Sequence, residues 1–226
     1  MPSLVLPPEA PTLADAVAQA VRDGVAAGEL VPDRTYSVYQ LAELLGVSRS
    51  PVREGLLRLA EAGLIEILRN RGFRVLPPRA HDIEEIFGIR LALEPPAARL
   101  AAERGTAAQH AAIRAALATM ETAAERDFWP ADRALHDLLL RTAGKPRTAA
   151  LVAGLRSTTA LLGPPTTASG RTLAEIHAEH VPLVSAVLAR DGAAAEAAMR
   201  AHLEATGQLL LRTLSAAAAP GSPHRS

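Results

Sequence analysis

The sequence predicts a mainly α chain in two parts: a short N-terminal unit of three helices closed by a β-hairpin, then an all-α antiparallel bundle of six or seven helices. Three observations predict it. Of 226 residues, 49% are hydrophobic but only 3% aromatic, and alanine, the strongest helix former, dominates the C-terminal two-thirds. Strand-like runs are confined to two short segments between residues 64 and 76. Everywhere else, apolar residues at helical spacing are punctuated by Gly, Pro, Ser, Thr and Asp at intervals that suit helix ends.

Residues 1–11 are apolar and proline-broken and read as a flexible N-terminus. The first helix is expected from about Thr12 to Ala27, with Leu13, Val17, Val21 and Val25 at spacing four, and Gly28 ends it. Ser37 opens a second, with Gln40 as its capping-box partner and Leu41, Leu44 and Leu45 as the apolar face. Gly46 stops that helix in a tight turn. Ser48 caps a third, in which Pro51 is tolerated because its missing N–H falls in the first turn. Val52, Leu56, Leu57 and Leu59 are expected to face inward, and Gly63 ends the helix. Leu64 to Leu68 and Phe73 to Leu76 then form a hairpin around Arg69-Asn70-Arg71-Gly72. Helix, helix, tight turn, helix, hairpin is a winged helix-turn-helix, placed at residues 12–78 with Pro77-Pro78 as a stiff linker.

Residues 79–215 read as helix throughout. His81 to about Leu93 precedes Pro95-Pro96, which should kink the helix or divide it. Gly105-Thr106 with Gln109 marks an end and a capped start. Further breaks are expected at Asp127–Pro130, Gly144–Pro146, Gly163–Gly170 and Asp191-Gly192. Residues 216–226 read as a disordered tail.

The formal net charge is zero, which argues against a basic, non-specific nucleic-acid coat. No cysteine is present, so disulfides and thiolate metal sites are excluded and any metal must use imidazole and carboxylate. No basic n-region or stretch near ~20 apolar residues indicates a signal peptide or a membrane span. The expectation is a soluble, cytoplasmic protein with no membrane partner.

Charge is nevertheless concentrated locally. Between Arg49 and Arg74 lie six arginines against Glu54, Glu61 and Glu66. The second helix of a helix-turn-helix puts its N-terminal residues into the DNA major groove. Arg49 and Arg53, at i and i+4, project there from one face and can grip guanine edges. Ser48 and Ser50 can donate to phosphate at the helix N-terminus. Arg69, Arg71 and Arg74 flank Gly72 in the wing, suiting backbone or minor-groove contact.

A second constellation lies in the bundle. Asp132 and His136 stack one turn apart on one helix. His180 and His202 are equidistant from the Asp191-Gly192 turn, so an antiparallel hairpin would bring them to one height. Three imidazoles and a carboxylate suit a divalent ion, zinc first, with nickel or manganese as alternatives. His81, His110 and His224 read as surface or satisfied core residues. His177, one turn before His180, reads as a helix-surface residue, with a supporting or alternative ligand role also open. Arg90 falls on the apolar face defined by Ile83, Ile86 and Phe87, and a buried arginine needs a partner. That partner is Glu94, at i+4, or the carboxylate of a bound effector.

Residues 12–78, above all Leu41-Ala42-Glu43-Leu44-Leu45-Gly46-Val47-Ser48-Arg49-Ser50-Pro51-Val52-Arg53-Glu54 and Arg71-Gly72-Phe73-Arg74-Val75, resemble the DNA-binding domain of the GntR family. The resemblance implies DNA contacts at Ser48, Arg49, Ser50, Arg53 and Gly72. Two positions depart from the family pattern: Gly55, usually alanine, should soften the recognition helix by up to ~1 kcal/mol, and Tyr39 stands where a polar or charged residue is common. Residues 81–214, through Arg90, Glu94, Ala97-Ala98-Arg99-Leu100-Ala101, Asp132, His136, Glu179-His180 and Arg200-Ala201-His202-Leu203, resemble the FCD ligand-binding domain of the FadR subfamily. In its metal-binding members an Asp-x-x-x-His pair and two later histidines hold the ion, which implies Asp132, His136, His180 and His202 here. Lys145, where a capping asparagine is usual, departs from that pattern, and Pro182 is expected to bend the helix of His180.

The reading is thus a ligand-responsive transcriptional regulator, with no catalytic residues. A small carboxylate, bound near the metal and Arg90, modulates binding of a homodimer to a palindromic double-stranded operator. Two rivals stand beside it: a metal-dependent enzyme domain fused to a DNA reader, and a regulator whose metal is purely structural. Against the enzyme, no Glu, Ser or Cys is recognisably placed as base or nucleophile.

Overall fold

A computed structural model of the chain describes residues 4–7, 10, 12–76, 79–162 and 170–218. The Pro77-Pro78 linker, most of the Gly163–Gly170 break and residues 219–226 of the expected tail lie outside the described residues. The chain forms two compact units, Met1–Arg79 and Ala80–Ser226. No helix among the described residues is long and apolar enough to cross a membrane.

The first unit contains α1 (Leu13–Ala26), β1 (Thr35–Tyr36), α2 (Val38–Leu45), α3 (Arg49–Glu61), β2 (Ile65–Leu68) and β3 (Gly72–Val75). Thr12 caps α1 by accepting the backbone N–H of Asp15, and Ser37 does the same for α2 from Gln40. Gly46 then adopts φ 66°, the left-handed turn that separates α2 from α3. Val17, Val21, Val52, Leu56 and Leu59 are buried where α1 meets α3 and its neighbours.

Gly55 accounts for the closeness of that contact. A Cβ on it would lie 2.6 Å from the Ala14 carbonyl oxygen and 3.2 Å from the Ala18 nitrogen. The glycine is therefore a packing requirement as well as a weak helix former. Across the same seam Arg58 pairs with Asp15, and within α3 it pairs with Glu54.

Three side chains depart from the expected pattern, among them Leu13, which is 56% exposed at the start of α1. Leu57 is 52% exposed because the inward stripe is Val52, Leu56 and Leu59; Leu57 is one turn beyond Arg53 and shares its outer face. Leu44 is likewise partly exposed on α2.

The sheet has the order β1-β3-β2, antiparallel throughout. The two-residue β1, too short to give a periodic signal in the sequence, pairs Thr35 with Arg74 and Tyr36 with Phe73. Asn70 turns the hairpin at φ 59° and Gly72 has φ 116°. A Cβ on Gly72 would run into the Tyr36 carbonyl, so this glycine is what allows β1 to join the wing.

The second unit holds six helices among the described residues: α4 (Ala80–Arg104), α5 (Ala107–Thr122), α6 (Glu125–Thr142), α7 (Pro146–Leu162), α8 (Leu173–Leu188) and α9 (Gly192–Ala218). Helix α4 is central, packing on α6, α7, α8 and most extensively α9. Its buried Ala97, Ala98, Ala101 and Ala102 keep that approach close, and Gly207 of α9 stands where a Cβ would come within 3.0 Å of the Phe87 ring.

Capping boxes form at Thr106–Gln109 and Thr172–Glu175. Helix α4 continues through Pro95 and Pro96 rather than dividing there: packing along its length outweighs two missing backbone donors. Helix α6 begins at Glu125, ahead of the break expected at Asp127–Pro130, with Phe128 buried as the anchor of its first turns. Helix α9 runs through Ala218, three residues into the stretch expected to be tail.

Candidate DNA interface and metal centre

In the first unit, Ser48, Arg49, Ser50 and Arg53 are all exposed at the start of α3, and Arg69 and Arg71 are exposed in the wing. Of the six arginines between residues 49 and 74, Arg58 pairs with Asp15 and Glu54, and Arg74 pairs with Glu66 at 2.5 Å. Arg49, Arg53, Arg69 and Arg71 form no ion pair among the described residues. Ser48 occupies the N-cap position, but its hydroxyl makes no capping hydrogen bond. The expected cap is thus absent, and the first-turn N–H groups of α3 remain open to an anion. Arg49, Arg53, Arg69, Arg71 and Gly72 line one groove of about 610 Å³ between α3 and the wing. The close approach of Tyr36 gives Gly72 a structural role of its own.

In the second unit, five helices converge on a buried polar cluster. His136 (α6), His180 (α8) and His202 (α9) are buried, with one ring nitrogen of each within 4.8 Å of the others. Their far sides are each anchored. His136 Nδ1 is 2.6 Å from Glu94 Oε2, His180 Nδ1 is 2.9 Å from the Ile176 carbonyl oxygen, and His202 Nδ1 is 3.1 Å from Glu179 Oε2. All three partners are acceptors, so each Nδ1 carries a proton and donates it; in a neutral imidazole Nε2 is then a bare lone pair.

Two of these lone pairs, His136 Nε2 and His180 Nε2, face each other at 3.2 Å, and Asp132 Oδ1 lies 3.2 Å from His180 Nε2 and 4.0 Å from His136 Nε2. With neutral rings this is a set of acceptors with no donor among them, repulsive unless a cation sits between. Two nitrogens on one tetrahedral zinc at about 2.0–2.1 Å are roughly 3.3 Å apart, so the donor set and its spacing fit a small divalent ion.

The supporting charges are paired. Glu94 accepts from Arg90 Nε at 2.6 Å as well as from His136. Asp132 accepts from Arg156 of α7, and Glu179 pairs with Arg171. Burial alone would raise the Glu94 and Asp132 carboxyls, yet both lie below the ordinary carboxylate range. Arg90 and His136 outweigh it for Glu94, and Arg156 for Asp132. Burial, reinforced by Arg156, pushes His136 down to about 3. Burial pushes His202 down to about 4 against the pull of Glu179. Neutral imidazoles are the form that binds metal.

Sequence spacing had assembled Asp132, His136, His180 and His202, and these residues meet. Arg90 is buried against Glu94, the first of its two expected partners. The double use of Glu94, and the roles of Arg156 and Glu179, were missed. Arg156 sits on a helix of weak amphipathic pattern that offers no signal, whereas Glu179 could have been found as the i−1 neighbour of His180 one turn after Glu175. His110 is a satisfied core residue, its Nε2 2.9 Å from the Ala101 carbonyl oxygen. His177 is half-buried rather than on the surface, and its Nε2 has no partner among the described residues.

Comparison with known proteins places both units. Residues 13–75 match the bacterial regulatory proteins of the gntR family, and residues 85–205 match the FCD domain. The HTH-type transcriptional regulator LutR of Bacillus subtilis (strain 168) is 32% identical over 203 residues, covering 78% of this chain and 91% of its own. The HTH-type transcriptional repressor RspR of Escherichia coli (strain K12) is 30% identical over 179 residues, covering 77% of this chain and 78% of its own. Among solved structures, E. coli McbR/YncC has a TM-score of 0.70 at 22% identity, over 89% of this chain and 98% of its own, a likeness of fold.

Proposed function

Since this chain belongs to the gntR family of bacterial regulatory proteins and carries an FCD domain, we propose that it is a regulator whose grip on a DNA operator is set by a small organic acid bound beside a divalent metal. At the level of the family it is a ligand-responsive DNA-binding regulator, and such regulators are not catalysts, which removes the enzyme reading. The metal, the acid and the residues that hold them are our reading.

The observation that carries it is the convergence of His136 Nε2 and His180 Nε2 at 3.2 Å with each Nδ1 already donated away. His136, His180 and His202 would hold the ion, with Asp132 as a fourth ligand. Zinc fits this donor set, and nickel or manganese suit it as well. When bound, the ion supplies a Lewis-acidic position for a carboxylate oxygen.

Charge balance favours an anionic effector. With neutral imidazoles, Arg90 and Arg156 are offset by Glu94 and Asp132, so a divalent ion brings an excess of positive charge into a buried site. A small carboxylate offsets part of it, with Arg90 as its second anchor. On the DNA side, Arg49 and Arg53 would read base edges, Ser48 and Ser50 phosphate, and Arg69, Arg71 and Gly72 the backbone or minor groove, in a homodimer spanning a palindromic operator.

The experiment selects a duplex from a random double-stranded pool, then titrates its binding with a panel of small organic acids on metal-loaded and metal-stripped protein. An acid that shifts affinity ~5–150-fold only with metal present is the expected result. An acid effect that survives metal removal leaves the metal a structural role, and no effect from any acid ends the sensor reading.

A further inference from the structure

The groove between α3 and the wing is not lined by charge alone. Tyr39, Leu57 and Ile67 are 63%, 52% and 46% exposed, and all three line it. They come from α2, α3 and β2 respectively, so three elements each turn a large apolar side chain outward into one space. Around them stand Arg49, Arg53, Arg69 and Arg71, none in an ion pair among the described residues. The acid that lines the groove, Glu54, is committed to Arg58 at 2.6 Å. Apolar walls with a rim of unpaired guanidinium groups match a polymer of apolar rings joined by anions.

We propose that Leu57 and Ile67 pack on the deoxyribose of the operator strand that lies in this groove, with Arg69 and Arg71 taking the flanking phosphates while Arg49 and Arg53 reach past it to the bases. The inference rests on the DNA-binding reading and deepens it. Duplex geometry supports it: the major and minor grooves are separated by a single backbone strand. A protein with its recognition helix in one and its wing in the next must therefore have that strand between them. Deoxyribose has no 2′-hydroxyl and presents carbon to its neighbours, so an aliphatic wall desolvates it without stranding a polar group. Tyr39 adds an aromatic face with a hydroxyl that can donate to a phosphate oxygen. Leu57 lies one turn after Arg53, so a base-reading residue and a strand-holding residue follow each other on a single face of α3.

Apolar contacts to sugar carry neither sequence information nor counterion release, and this gives them a signature distinct from every arginine in the groove. The test measures binding of wild type, Leu57→Gln and Ile67→Thr to a duplex selected from a random pool and to a duplex of scrambled sequence, across a salt series. Both variants are expected to lose about three- to tenfold on both duplexes, with an unchanged slope of log affinity against log salt. Melting temperatures within a degree or two of wild type would show that the half-exposed positions leave the fold intact. Unchanged affinity in both variants overturns the proposal, as does a loss confined to the selected duplex, which would mean that Leu57 or Ile67 reads bases. If wild type itself binds neither duplex, the DNA-binding reading fails first and takes this one with it.

Discussion

Glu94 joins Arg90 to His136: one carboxylate oxygen accepts from Arg90 Nε at 2.6 Å and the other from His136 Nδ1 at 2.6 Å. All three are buried, so a single carboxylate both neutralises the guanidinium and orients the imidazole. A carboxylate behind a histidine fixes its tautomer and raises its basicity toward metal. Glu94→Gln should therefore lower metal retention by about 10–100-fold and reduce stability by several kcal/mol through the unpaired Arg90. Competition with a chromogenic chelator, alongside thermal melting, measures both. Retention equal to wild type would show that Glu94 serves Arg90 alone.

Gly55→Ala tests the contact between α1 and α3. Helix propensity favours alanine by up to ~1 kcal/mol, but the new methyl would sit 2.6 Å from the Ala14 carbonyl oxygen. Overpacking against backbone should win, with a net loss of about 1–3 kcal/mol. Chemical denaturation followed by circular dichroism decides the sign, and a gain in stability would mean that α1 shifts at little cost.

For metal-free protein the buried histidines set an acid dependence. His136 and His202 fall from an ordinary value of 6.5 to about 3 and about 4 in the native state, so below 6.5 the unfolded chain binds protons that the folded chain refuses. Stability must then drop as pH falls through 6.5, by up to about 1.4 kcal/mol per pH unit for each histidine, until the folded values are reached. Glu94 and Asp132, held below the usual range, stabilise above their unfolded values and lose that contribution as pH falls further. Denaturation midpoints of chelator-treated protein from about pH 7.5 to 4.5 should decline throughout. A flat profile between about pH 7 and 5 would contradict neutral, buried imidazoles.

The groove arginines divide by role. Arg49→Ala and Arg53→Ala should each cost ~1–3 kcal/mol on a selected duplex and much less on a scrambled one. Arg71→Ala should weaken both alike and lower the salt slope by about one. Fluorescence anisotropy at several salt concentrations separates these outcomes, and a sequence-selective loss at Arg71 would assign the wing to base reading.

What the sequence disclosed, and what it withheld, follows from which interactions are local. The caps at Ser37 and Thr106 and the turn at Gly46 were readable because a cap is settled within four residues, although the cap expected at Ser48 did not form. The two-unit order of helices and hairpin was readable from periodicity. The metal-like cluster was legible too, because i,i+4 spacing and symmetric placement about a helical turn convert sequence distance into spatial distance. Beyond those reaches the signal stops. Arg156 meets Asp132 only through the docking of α7 on α6. β1 exists only because Gly72 lacks a side chain opposite Tyr36. The exposure of Leu57 could have been foreseen by counting turns from Arg53, and a preference for placing leucines inside obscured it.

Helix α4 links the histidine cluster, through Glu94, to the start of the second unit. From Ala80 to Glu94 it is an unbroken stretch free of proline, a rod of roughly 21 Å at about 1.5 Å per residue. Immediately behind Glu94 stand Pro95 and Pro96, where two successive backbone donors are missing and the helix is most compliant in bending. A stiff arm with a soft fulcrum at its base is a lever: tilting it by about 5° at Glu94 displaces its free end by nearly 2 Å, as simple trigonometry on that length requires. That end is Ala80, where the chain arrives from the DNA-reading unit. Because Ile83, Ile86 and Phe87 are buried along this arm, with Phe87 against Gly207 of α9, such a tilt would have to carry the α4–α9 contact with it.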